Sequence, residues 1–149
     1  MRIANDILIP ELARLLNEEK EVRFTPSGNS MRPFIEGEQD SVILSSFHRA
    51  PRRGDIILAR VTAANGRQTY VLHRLVRIEG TNYILQGDGN LSGEEVCARE
   101  DIIGRVIAVE TPKGRRKLLT RGFLWHCLLP FRHYLLKIYR HSWLKWYYK

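Results

Sequence analysis

The first twenty residues place apolar side chains at helical spacing. Ile7, Leu8, Leu12, Leu15 and Leu16 predict a short amphipathic helix over 4–19, with Pro10 tolerable only near its start. Glu18, Glu19 and Lys20 read as its solvated end. From residue 21 the period changes. Short apolar runs at 22–25, 41–44, 55–61, 70–78, 83–86 and 102–109 are separated by turn chemistry. Asn65-Gly66 predicts a tight hairpin, and Glu79-Gly80-Thr81-Asn82 and Gly87-Asp88-Gly89-Asn90 mark further turns. Many short strands with frequent turns predict a mainly β fold over 21–110: a small curled or barrel-like β domain with an N-terminal helix. Residues 111–117 read as a basic turn or linker, and 118–149 as a basic, aromatic, helical tail. The expected division is therefore 1–117 and 118–149.

Composition narrows the class. The chain has 149 residues, 44% of them hydrophobic and 27% charged, which suits one globular domain and argues against disorder or a fibrous repeat. Its net charge of +8 favours an anionic surface nearby. Two cysteines, Cys97 and Cys127, fall in no Cys-x-x-Cys or Cys/His cluster, so neither a metal site nor a cofactor is expected. The start of the chain lacks a secretory pattern, and no apolar run of about 20 residues is long enough to span a bilayer. The expected location is the cytoplasm, with the inner membrane face as a peripheral docking place.

Three stretches carry candidate chemistry. Pro26-Ser27-Gly28-Asn29-Ser30-Met31-Arg32-Pro33 puts Ser30 after a small-residue turn, where backbone N–H groups can converge as an oxyanion hole requires. Val71-Leu72-His73-Arg74 sets a histidine in an apolar strand, able to take a hydroxyl proton near neutral pH. Gln86-Gly87-Asp88-Gly89-Asn90 and the following Leu91-Ser92-Gly93-Glu94-Glu95 offer Asp88 and Glu94 as carboxylates to orient that histidine. Each alone is an ordinary feature: a polar turn, a strand histidine bonded to a carbonyl, a hairpin aspartate.

Together, with Arg53-Gly54-Asp55-Ile56-Ile57-Leu58, these blocks resemble the LexA-like and type I signal peptidase superfamily of serine proteases. The likeness covers about 22–110, in that family's order. It implies Ser30 as nucleophile and His73 as general base, as in the Ser-His branch typified by endoplasmic-reticulum and archaeal signal peptidases. Asp88 and Glu94 are equal candidates for the acid. Ser27, Gly28, Asn29 and Met31 are the candidate oxyanion and substrate residues. The implied activity is a serine endopeptidase acting on a leader peptide or protein precursor. The alternatives are a non-catalytic member of the fold that binds peptides as a β-strand, and a stress-response protease that cleaves itself. With one expected helix ahead of the blocks, neither the N-terminal membrane anchor of signal peptidases nor a DNA-binding helix-turn-helix is expected there.

In the tail, aromatic and apolar residues alternate with Arg132, Lys137, Arg140 and Lys145. That mixture suits an anionic membrane surface, or equally a helix packed on the β domain or a partner. With no separate recognition module in view, nucleic acid ranks behind both.

Overall fold

The structure is a computed structural model and describes residues 8–90, 92–117, 131, 134–138 and 141. Helix α1 (Leu8–Asn17) is followed by strands β1 (Val22–Phe24), β2 (Ser41–Ser45), β3 (Ile56–Thr62), β4 (Gln68–Glu79), β5 (Asn82–Gln86), β6 (Glu95–Cys97), β7 (Ile102–Thr111) and β8 (Gly114–Lys117). Every pairing is antiparallel, in the order β1-β2-β7-β3-β4-β5-β6, with β8 added on β7. The sheet curls without closing, so the expected small curled β domain is present as an open sheet rather than a barrel.

The helix stops two residues before the expected end, and residues 4–7 of the expected span lie outside the described residues. It ends at Asn17, and Glu19 takes a left-handed conformation (φ 57°) that lets its N–H and that of Lys20 bond back to the carbonyls of Leu16 and Leu15. Ile9, Leu12 and Leu16 form the buried stripe. They meet Leu44, Leu58, Leu72 and Val106 in one core on that side of the sheet. Burying each such leucine contributes roughly 1.5–3 kcal/mol. A second core lies on the other face, where Ile57, Val71, Leu75 and Leu85 fill the curl. Strands β3 and β4 are thus apolar on both faces, which is why they read as continuous runs.

The hairpin at Asn65-Gly66 forms as expected: Gly66 has φ 77°, and the Ala63 N–H donates to the Arg67 carbonyl. Two strands depart from the sequence reading. β6, three residues long, lies outside the expected apolar runs, and β8 occupies the stretch expected to be a basic turn or linker. The register Ala108↔Lys117 to Thr111↔Gly114 makes 111–117 the end of a β7–β8 hairpin. Of the expected tail, only Phe131, residues 134–138 and His141 fall among those described. Residues 134–138 are helical, and Leu136 is buried.

Candidate active site

Ser30 opens a tight turn at the lip of the sheet. The Arg32 N–H donates to the Asn29 carbonyl, and the Phe34 and Ile35 N–H groups donate to that of Met31. Met31 and Ile35 sink into the helix-side core and pin the turn. On the outer side, Arg32 pairs with Glu36, and the Glu36 N–H donates to the buried Asp40 carboxylate (2.9 Å). Gly37 lies so close that a β-carbon there would sit 1.8 Å from the Gly28 carbonyl oxygen. The turn is therefore held from both ends before any substrate arrives.

Strand register brings the histidine to it. His73 on β4 pairs with Ile57 on β3. Side chains alternate along a strand, and paired residues share a face. Leu75 therefore lies on the His73 face. Leu75 pairs with Leu85, and Leu85 with Glu95. Glu95 thus reaches the same face two strands away, whereas Glu94, one residue earlier, points to the other.

The distances follow from that register. His73 Nε2 is 3.0 Å from Ser30 Oγ, and His73 Nδ1 is 2.8 Å from Glu95 Oε2. A carboxylate accepts only, so Nδ1–H is the donor to Glu95. In the neutral ring this leaves Nε2 as acceptor for the Ser30 hydroxyl. His73 is 2% exposed, while Ser30 is half-buried and accessible at the lip.

The carboxylate at His73 is Glu95, rather than Asp88 or Glu94. Glu94 is forked onto Arg77 (2.6 and 2.8 Å), whose guanidinium holds the Glu94 carboxyl below its ordinary range. Asp88, fully buried, takes both oxygens to Arg74 (2.7 Å each). Arg74 faces away from His73 because it is the next residue along the strand. Its Nη1 donates to the Gly54 carbonyl (2.8 Å), and its guanidinium lies 5.4 Å from the centre of the Phe34 ring. This pair joins β4, the loop before β3, the turn after β5 and the serine turn into one unit.

The Gly87-Asp88-Gly89-Asn90 turn also touches the serine backbone. The Gly89 N–H donates to the Ser30 carbonyl (2.8 Å). A β-carbon on Gly87 would meet that carbonyl oxygen at 2.5 Å and Ser30 Cβ at 3.1 Å. Both glycines are therefore part of what seats Ser30, a role that the sequence signals only by the Gly-x-Gly spacing.

Among the other expected site residues, Gly28 has φ 83° and is exposed with Asn29 at the lip, and Ser27 is half-buried beside them. The Met31 side chain, at 3% exposure, belongs to the core, which leaves its backbone alone to serve at the serine turn. Cys97 is buried on β6, and that burial pushes its thiol up to about 11. Among the described residues no His, Cys, Asp or Glu cluster has the makings of a metal site.

No family model, curated protein or solved structure matches the chain.

Proposed function

We propose that the protein is a serine-type endopeptidase, acting on a leader peptide or protein precursor through Ser30, His73 and Glu95. One observation carries this reading: the unbroken Ser30 Oγ–His73 Nε2 and His73 Nδ1–Glu95 contacts at hydrogen-bond distance, a geometry that matches the tautomer general-base catalysis needs. The resemblance of the surrounding blocks to the LexA-like and signal peptidase superfamily supports the same reading.

His73 Nε2 takes the Ser30 proton as Oγ bonds to the scissile carbonyl carbon, and the carbonyl π pair moves onto oxygen. Backbone N–H groups at the serine turn stabilise that oxyanion. Glu95 stabilises the imidazolium. The oxyanion then collapses, the C–N bond breaks, and Nε2–H protonates the leaving amine. Water, deprotonated by His73, attacks the ester carbonyl, and Ser30 leaves with the proton held by His73.

The sheet also offers a place for substrate backbone. β5 pairs with β4 only from Arg74 to Glu79, while β3 pairs with it from Gln68 to Arg74. Among the described residues, 68–73 thus have a strand neighbour on the β3 side alone, beside the serine turn. An extended peptide added there lies within reach of Ser30. The same edge would serve a peptide-binding protein that does not cleave, so the decisive test is chemical.

A fluorophosphonate probe is expected to label Ser30 in the parent protein, with the adduct located by peptide mass spectrometry. Ser30→Ala abolishes labelling, and His73→Ala slows it at least a hundredfold, while circular dichroism stays that of the parent. Labelling of a different residue, or parent-rate labelling of His73→Ala, refutes the assignment.

A further inference from the structure

The described residues present one apolar surface that the candidate active site does not use. Phe131, Tyr134, Leu135 and Ile138 recur at the i, i+3, i+4, i+7 spacing of a single helical face. They are 64, 67, 39 and 63% exposed. Leu136 falls on the opposite side of that period and is 2% exposed, so the helical turn is seated by Leu136 with its apolar stripe turned outward. Large contiguous apolar patches are uncommon on a free surface and mark a contact.

The chemistry of the same segment says what covers it. Between residues 118 and 149 stand Arg121, Arg132, Lys137, Arg140, Lys145 and Lys149, with no aspartate or glutamate. All three tryptophans of the chain, Trp125, Trp143 and Trp146, are there as well. A protein groove lined with acids would match the cations but gives no reason for the tryptophans. A lipid interface matches both, because indole and phenol rings favour the headgroup level while cations face lipid phosphate. No helix among the described residues is long and apolar enough to cross a membrane.

We infer that the C-terminal segment docks this protein onto an anionic lipid bilayer, with Phe131, Leu135 and Ile138 entering the acyl boundary and the exposed Lys137 meeting the headgroup phosphates. This stands apart from the peptidase reading: it holds if Ser30 is inert, and it fails without touching Ser30.

The full chain is sedimented with vesicles of phosphatidylcholine containing about 30 mol% phosphatidylserine, and with vesicles of pure phosphatidylcholine. Binding to the anionic vesicles is expected to exceed binding to neutral ones by about tenfold, and to fall in roughly 0.5 M NaCl as screening removes the attraction. The double variant Phe131→Ser, Ile138→Ser weakens it by about another tenfold. Both side chains project from the fold, so the unfolding midpoint of the variant stays at the parent value. Absence of parent binding to anionic vesicles overturns the inference, as does unchanged binding of the folded double variant. So does a parent dimer in light scattering that the double variant abolishes with no change at vesicles, because the stripe would then join two copies of the chain.

Discussion

At the scale of single residues, adjacent side chains on one strand have opposite fates. His73 faces Ser30 and Glu95, while Arg74 turns to the other side and joins Asp88. Glu94 and Glu95 divide in the same way, one to Arg77 on the surface and one to the imidazole. The two glutamates therefore make a controlled pair. Glu95→Gln keeps the size of the side chain but removes the charge that stabilises the imidazolium and fixes its tautomer. It is expected to lower kcat/KM for a cleaved peptide, or the probe-labelling rate, by roughly 10³-fold or more. Glu94→Gln, which loses only an exposed pair with Arg77, leaves the rate within about twofold and stability within about 1 kcal/mol. Equal losses in the two variants would remove Glu95 from its role. The sequence points to Glu94 and Asp88 rather than to Glu95, because a shift of one residue in register exchanges the faces of the two glutamates and no local pattern fixes that register.

At the scale of elements, the turn after β5 and the turn holding Ser30 are close-packed through backbone. Gly87→Ala tests that contact. The added methyl meets the Ser30 carbonyl oxygen, and backbone cannot swing aside as a flexible side-chain end can. Stability is expected to fall by about 1–3 kcal/mol in urea unfolding, with probe labelling of Ser30 slowed by more than tenfold even where the protein remains folded. Parent-like labelling would show that the turn does not seat the serine. Elements also differ in how visible they are beforehand. β3 and β4 are long apolar runs closed by Asn65-Gly66, and their pattern is enough to find them. β8, Gly-Arg-Arg-Lys, has no apolar alternation at all; it is a strand because β7 offers a free edge to its backbone. β6 is similarly short, and its pairing with β5 depends on where the preceding turn delivers it. Hydrogen bonding to a neighbour made these strands, and such bonding leaves no mark in local hydropathy.

At the scale of the whole molecule, the buried Arg74–Asp88 pair links segments far apart in sequence: the loop at Gly54, the turn at Asp88 and, through Phe34, the serine turn. Its two side chains are 5% and 0% exposed, so each compensates a charge that water does not reach. Asp88→Asn leaves the guanidinium uncompensated and is expected to cost about 3–5 kcal/mol in urea unfolding. A cost under about 1 kcal/mol would mean that water or another acid satisfies Arg74, and that the pair does not hold the unit together.

What the amino-acid sequence determined by itself was the change from helical to strand period, the hairpins with Asn-Gly and Gly-containing turns, and the pairing of a turn-borne serine with a strand-borne histidine as candidate partners. These are local properties, set by side-chain spacing and by backbone preferences of a few residues. The tertiary structure alone decided which carboxylate meets His73, that Asp88 neutralises Arg74 instead, that Met31 is core, and that the sheet curls without closing. Those outcomes depend on register between strands distant in the chain, where a displacement of one residue reverses the face of every side chain.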